Sequence, residues 1–334
     1  MAATRPRYSQ DQLEKYFDRI SLTASKRIFN IAHLDPASQL SYLKILQKHH
    51  LCKVPWENLT QHYSWHRVIN VKPQHLYRKI VGSREGGRGG YCMEANLFFH
   101  TVLHSLTFSV IIAGARIHGS DGTYGGWTHC VNIVTIGGTR YMLDGGFGPQ
   151  GPTHPVPLQD AVVTPQIQPA ESRLLYAAIP QFLDQNQRVW IYQYRRDATA
   201  DFVPMYCFTD LEFTPSDIES MNFAPWLNTK SFFTHKVVCV RFATSKEASD
   251  GGGPRSPTEE AFEGAEIDGS ITLNQDVLKW KKGADKMVEM RFEKEAERTQ
   301  ALEKYFGIVL SEEEREAILG SASDLGGGGM GHDE

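Results

Sequence analysis

Along the N-terminal part of the chain apolar residues return at intervals of three and four. Further on they gather into short alternating or continuous runs, so the pattern predicts helices first and strands afterwards. Ser9 with Gln12 has the form of a capping box, and Tyr8 and Leu13 that of a hydrophobic staple, opening a helix through Tyr16, Phe17 and Ile20. Asp35-Pro36 opens a second helix carrying Leu40, Tyr42, Leu43 and Leu46. Leu97, Phe98, Phe99, Val102, Leu103 and Leu106 mark another, strongly apolar one. From about residue 108 the runs 108–113, 129–136, 141–144, 174–179 and 189–194 read as strands of one β-barrel or curled sheet. Beyond residue 214, strands near 236–242 and 270–273 and a helical stretch at 311–319 suggest a smaller α/β unit. The predicted class is α+β, with a helical part over 1–107, a β-barrel over 108–213 and an α/β unit over 214–334. Residues 245–264, rich in Gly, Ser, Pro and Glu, and the tail 320–334 hold few apolar groups. Burial there cannot offset the entropy of ordering, so both are expected to be mobile surface that contributes nothing to the core.

Composition narrows the possible functions. The 334 residues are 41% hydrophobic and 22% charged, an ordinary globular balance, and the net charge of -4 gives no general reason to expect nucleic acid. Residues 1–12 are polar and lack the apolar centre of a signal peptide, and no run of apolar residues is long enough to predict a membrane span. A cytoplasmic location is expected. The five cysteines, at 52, 92, 130, 207 and 239, show no Cys-x-x-Cys spacing, so neither a disulfide framework nor a zinc ribbon is suggested. His100 and His104 stand four apart on a helix but have no third ligand, and Gly86-Gly87-Arg88-Gly89-Gly90 lacks the ending of a phosphate loop. No metal and no permanently bound cofactor is expected.

The chemistry starts at Cys92. Gly86, Gly87, Gly89 and Gly90 form a loop whose backbone can take dihedrals closed to other residues and can lie close to a ligand, and the apolar helix begins directly after it. A cysteine in the first turn of that helix sits beside unpaired amides and partial positive charge, which stabilise a thiolate. A base comes from a hairpin. The runs 129–136 and 139–144 are joined by Gly137-Gly138, a two-residue turn signal. With those glycines as the loop, Ile136 faces Thr139 and Val131 faces Asp144, which places His129 and Asp144 on one sheet face as diagonal neighbours. Asp144 can then fix the tautomer of His129, whose other nitrogen takes or shares the Cys92 proton. Cys130 falls on the opposite face, so it is not the partnered thiol.

The segments Arg88-Gly89-Gly90-Tyr91-Cys92-Met93-Glu94-Ala95-Asn96, Thr128-His129-Cys130-Val131-Asn132 and Leu143-Asp144-Gly145-Gly146-Phe147-Gly148 resemble the three signature segments of the arylamine N-acetyltransferases. Tyr16-Phe17-Asp18-Arg19-Ile20 and Val54-Pro55-Trp56-Glu57-Asn58-Leu59 are similar to further family segments, in the same order, and Glu219-Ser220-Met221-Asn222 and Ser231-Phe232 resemble parts of the family's third domain. The resemblance implies a helical bundle, a β-barrel and an α/β lid around a papain-like core. It also implies a double displacement: Cys92 takes an acyl group from acetyl- or malonyl-coenzyme A and passes it to an arylamine, arylhydrazine or arylhydroxylamine. Cys92, His129 and Asp144 become the triad, Gly126 a backbone contact for coenzyme A, Trp56 an aromatic wall of the cleft, and Phe147 a residue packing on the acceptor ring.

The match departs from the family pattern at Gly145, where valine is usual, at Trp56, where phenylalanine is more frequent, and in Pro149-Gln150-Gly151. The 245–264 insertion and the tail resemble fungal members, some of which favour malonyl-coenzyme A. Arg116 or Gln150 could meet that extra carboxylate, so the donor stays open. Glu57, Arg88, Arg19 and Glu94 are expected to form ion pairs bracing the cysteine loop, because buried charges require partners. The three residue types alone also suit a cysteine hydrolase or transglutaminase-like enzyme, and the segments alone a non-catalytic coenzyme A binder. The full set of family segments favours the transferase.

Overall fold

In the computed structural model, which describes residues 5–82, 87–247, 262 and 264–326, the helices begin where side chains can cap them. Ser9 and Gln12 form the reciprocal capping box of α1 (Gln10–Arg19). Asp35 accepts from the amides of Ala37 and Ser38 at the start of α2 (Pro36–Lys53). α3 (Pro73–Ile80) also begins at a proline, where the missing N–H would have been unpaired in any case. In α4 (Cys92–Ser105) nearly every residue is buried, and Leu97, Phe98, Phe99, Val102 and Leu103 pack with Tyr16, Phe17 and Leu43 in one core.

Eight antiparallel strands follow β1 (Trp56–Glu57): β2 (Ser109–Ile117), β3 (His129–Ile136), β4 (Thr139–Leu143), β5 (Val156–Pro157), β6 (Val163–Pro165), β7 (Glu171–Ala177), β8 (Val189–Arg195) and β9 (Val203–Phe208). They pair in the order β5-β4-β3-β2-β9-β8-β7-β6. Ala113, Val131, Met142, Leu174, Tyr192 and Phe208, drawn from strands across that sheet, share one core, so the sheet curls into a nearly closed barrel. Within it Ile136 pairs with Thr139 and Asn132 with Leu143, the register expected from the glycine turn.

A five-stranded sheet has the order β1-β10-β11-β12-β13, with β10 (Val238–Thr244), β11 (Ile267–Asn274), β12 (Val277–Lys282) and β13 (Asp285–Arg291). The C-terminal part thus holds more strand than its sequence pattern suggested, and the helix expected at 311–319 is the shorter α7 (Glu312–Glu316), preceded by α6 (Glu295–Ala301). The three-part reading also needs adjustment at two crossings. β1 leaves the helical part to pair with β10, and α5 (Pro215–Leu227) buries Ile218 and Met221 in the N-terminal core.

The expectation that 245–264 and 320–334 contribute nothing to the core is corrected at their described residues. Phe262 is buried and stacks on His49 with ring centroids 4.2 Å apart. Glu247 makes a buried pair with Arg241 at 2.7 Å. The Ser323 carbonyl accepts from Arg298 at 2.8 Å and from Gln275 at 2.9 Å. Single anchoring residues of this kind vanish in a compositional average. The rest of that expectation, on 248–261, 263 and 327–334, lies outside the described residues. Among the described residues no helix is long and apolar enough to cross a membrane.

Candidate active site

Cys92 is delivered by a loop that only glycine permits. A Cβ on Gly89 would lie 1.8 Å from the Pro55 carbonyl oxygen, so this loop packs directly against the chain entering β1. The Glu57 amide donates to the Gly90 carbonyl at 3.1 Å and the Gly90 amide to the Pro55 carbonyl at 3.3 Å. After the buried N-cap Tyr91, Cys92 is the first residue of α4 and is itself buried.

Charged side chains brace the loop from beneath. Glu57 accepts from the Arg88 guanidinium and the Gly89 amide, both at 3.2 Å, and from the Leu59 amide at 2.6 Å. Arg88 also pairs with Glu314 at 2.9 Å. Glu94 accepts from Lys79 at 2.8 Å and from the Tyr91 amide at 3.2 Å. The expected brace therefore includes two residues that the sequence did not single out, Lys79 and Glu314. Arg19, expected in an ion pair, instead donates to the carbonyls of Ile80 and Arg88 and has no carboxylate partner among the described residues. Burial alone would raise the Glu57 carboxyl, but the Arg88 and Lys79 charges and the Leu59 amide prevail and hold it at about 2.

His129 is the first residue of β3, and Asp144 follows the last of β4. Their side chains meet as the hairpin register requires, His129 Nε2 lying 2.7 Å from Asp144 Oδ2, with both residues buried. This leaves Nδ1 as the ring nitrogen not engaged by Asp144, while the Cys92 sulfur lies 3.6 Å from the Thr128 carbonyl oxygen. Burial works against the charged imidazolium, yet the Asp144 charge, its hydrogen bond and the Cys92 sulfur outweigh it and raise His129 to about 10. Asp144 moves the other way. Burial opposes its ionised form, but the His129 charge and hydrogen bonds from His129, Asn96 and the Gly146 amide keep it below the ordinary carboxylate range. A Cβ on Gly146 would stand 2.6 Å from the Cys92 Cα, so that glycine lets the Asp144 loop lie against the start of α4.

Two further residues belong to this arrangement. Asn96, fully buried, donates to the Cys130 carbonyl at 2.7 Å and to Asp144 Oδ1 at 2.9 Å, and accepts from the Gly145 amide at 2.8 Å. Its signal in the sequence was an amide four positions after Cys92, directly before the apolar run Leu97-Phe98-Phe99. Tyr206 on β9 packs its ring 5.1 Å from the imidazole and 5.0 Å from Phe147. Nothing in the local pattern marked it, because the contact depends on closing the barrel.

Cys92 and His129 open into a cavity of about 380 Å³, lined also by Trp56, Thr128, Phe147, Phe232 and Phe233. Trp56 and Phe147, expected as a cleft wall and an acceptor contact, both line this cavity. Gly126 does not line this cavity; it is exposed, two residues ahead of Thr128, with open space where a Cβ would be. Arg116 stacks over Trp127 at 3.9 Å and donates to the Gly125 carbonyl, and Gln150 lines a separate depression, so neither reaches the cavity wall. Cys130 is buried behind the site, its sulfur 3.7 Å from the Cys92 carbonyl. Larger depressions exist, one of about 970 Å³ beside Lys44 and Lys48, but Cys92 does not line it.

Comparison with known proteins bears on the whole chain. A family model described as N-acetyltransferase matches residues 39–249. N-malonyltransferase FDB2 of Fusarium pseudograminearum is 33% identical, over 94% of this chain and 93% of its own length. Its counterpart in Gibberella moniliformis is 31% identical over 95% and 93%. Arylamine N-acetyltransferase 2 of Rattus norvegicus is 26% identical over 68% and 76%. Among solved structures, the arylamine N-acetyltransferase of Salmonella typhimurium superposes with a TM-score of 0.72 at 23% identity, covering 93% of this chain and 98% of that one. That of Mycobacterium marinum in complex with CoA gives 0.70 at 22%, covering 92% and 98%. At such identities the structural likeness concerns the fold.

Proposed function

The chain belongs to the arylamine N-acetyltransferase family, and from that premise we propose that Cys92, His129 and Asp144 carry its reaction. The enzyme moves an acyl group from an acyl-coenzyme A to an amine. The observation that carries the assignment of residues is the joint placement of a buried cysteine at a helix start and a His129–Asp144 pair beside it, opening into an aromatic cavity. We take the divisions near 107 and 213 as a division of labour. The first part supplies the nucleophile, the second the base and carboxylate, and the third the aromatic rim at Phe232 and Phe233.

The chemistry follows from these groups. The Cys92 sulfur attacks the thioester carbonyl carbon; the tetrahedral intermediate collapses, and the coenzyme A sulfur departs with the proton held by His129. The amine nitrogen then attacks the new thioester on Cys92, His129 accepts the proton from that nitrogen, and the cysteine sulfur is released. Asp144 keeps the imidazole in one orientation and stabilises its charged form in both halves. Trp56 and Phe147 offer apolar faces to an aromatic acceptor. Gly126, outside the cavity, remains a proposed backbone contact for the donor at its approach. The names of the fungal relatives support malonyl-coenzyme A as the preferred donor, with acetyl-coenzyme A as the alternative. Five free cysteines support a cytoplasmic location.

Intact-protein mass spectrometry tests the reading. After incubation with malonyl- or acetyl-coenzyme A the protein should gain one acyl group on Cys92 and lose it when an aromatic amine is added, with the acyl-amine as product. Cys92→Ser should gain nothing. Loss of the adduct to water, unaffected by amine, would favour the hydrolase reading, and no adduct with either donor would falsify the transferase.

A further inference from the structure

We propose that Asn96 is a positioning residue for the reaction: from one turn beyond Cys92 it holds one oxygen of Asp144 and thereby aims the other at His129. The proposal rests on the reading of Cys92, His129 and Asp144 given above.

The hydrogen bonds leave the amide one orientation. Nδ2 donates to two acceptors, the Cys130 carbonyl and Asp144 Oδ1, while Oδ1 accepts from the Gly145 amide. Rotating the group would set oxygen against two acceptors and nitrogen against a donor. Asp144 Oδ1 then receives two hydrogen bonds, from Asn96 at 2.9 Å and from the Gly146 amide at 2.8 Å, and Oδ2 is the oxygen that meets His129. The helix bearing the nucleophile thus directly sets the rotation of the carboxylate that orients the base. Asn132 extends the connection, donating to the Asn96 carbonyl at 2.9 Å. Hydrogen bonds to an ionised carboxylate favour that form, so Asn96 also helps keep Asp144 charged against its burial, which in turn favours the imidazolium. Other titratable groups around the pair are Cys92 from α4, Cys130 from β3, Tyr192 from β8 and Tyr206 from β9. Asn96 does not line the cavity, so its effect should fall on chemistry more than on binding.

The test is an NMR titration of the His129 imidazole without substrate, in the wild type, Asn96→Ala and Asn96→Asp, combined with kcat and KM for acyl transfer. In Asn96→Ala the imidazole midpoint should fall by about one unit or more toward its ordinary value of ~6.5. Its kcat should drop roughly tenfold or more, with KM for the donor little changed. Asn96→Asp keeps the shape of the side chain. Protonated, it can still donate to Asp144; ionised, it repels that carboxylate, so its activity should survive on the acid side of its titration and disappear above it. An unchanged imidazole midpoint in Asn96→Ala would overturn the proposal. Should Asn96→Ala fail to fold, Asn96→Asp decides, and a wild-type pH profile there would overturn it. Because the titration uses no acyl donor, its outcome is separate from whether Cys92 becomes acylated.

Discussion

His129 and Asp144 influence stability in opposite pH directions. The folded state raises His129 to about 10, above the ~6.5 of an unfolded chain, so its contribution is full below pH ~6.5 and lost as the pH climbs toward 10. Asp144 is depressed, so its contribution is present above its unfolded value of ~3.9 and lost as the pH falls through its folded one. Asp144→Asn should therefore lose most stability relative to the wild type between pH ~4 and ~6.5, with the gap closing on the alkaline side. Denaturant titrations across pH check this, and a constant gap from pH 5 to 10 would count against the pairing. These two residues were legible because a two-residue glycine turn sets the register of everything along the hairpin. Asn96 was not legible in the same sense. Its partners come from the chain beyond Leu143 and from β3, and a buried amide says nothing about its acceptors until the backbone is placed.

At the scale of elements, the loop before α4 depends on charges from four places in the chain: Glu57 in β1, Lys79 in α3, Arg88 in the loop itself and Glu314 in α7. Arg88→Ala leaves Glu57 buried with only Lys79, at 3.6 Å, as an ion-pair partner among the described residues, and should cost about 3 kcal/mol of folding stability. The gap to the wild type should also depend on pH. Glu57 held at about 2 contributes stability that is full above its unfolded value of ~4.3 and is lost progressively as the pH falls from there toward 2. Without Arg88 the folded value rises and that contribution shrinks, so the variant should fall furthest behind the wild type near neutral pH, with the gap narrowing as the pH drops below ~4.3. Thermal melts of both proteins from pH 3 to 7 measure the effect, and a gap that stays constant or widens toward acid would contradict it. Helix starts at Ser9 and Asp35 could be read because a cap lies within a few residues of what it caps. The pairing of Trp56 with Val240 could not, since a two-residue strand has no period of its own.

The whole molecule is joined across its parts by buried contacts that composition concealed. Arg241 and Glu247 form two parallel hydrogen bonds at 2.7 and 2.8 Å, and Arg241 also donates to the Tyr305 carbonyl at 2.6 Å. Glu247→Ala strands that guanidinium in the interior and should destabilise the protein by about 3 to 5 kcal/mol. Equilibrium unfolding of the variant is the check, and a change below about 1 kcal/mol would show the pair to be dispensable. Fold class and the broad order of helices, barrel and mixed sheet were visible from periodicity, because each is written locally. The crossings between them were not, because they pair positions far apart in sequence.

One of those crossings bears on the order in which a ribosome makes the protein. β1 finds its partner only when β10 has been synthesised, and Arg88 meets Glu314 later still. The cysteine loop thus emerges well before Glu314, the residue that completes the framework around it. A nascent chain can therefore hold Cys92, His129 and Asp144 for a long stretch of translation without the support that keeps them in register, and acyl transfer should arise late and abruptly, once Glu314 has been made and has docked.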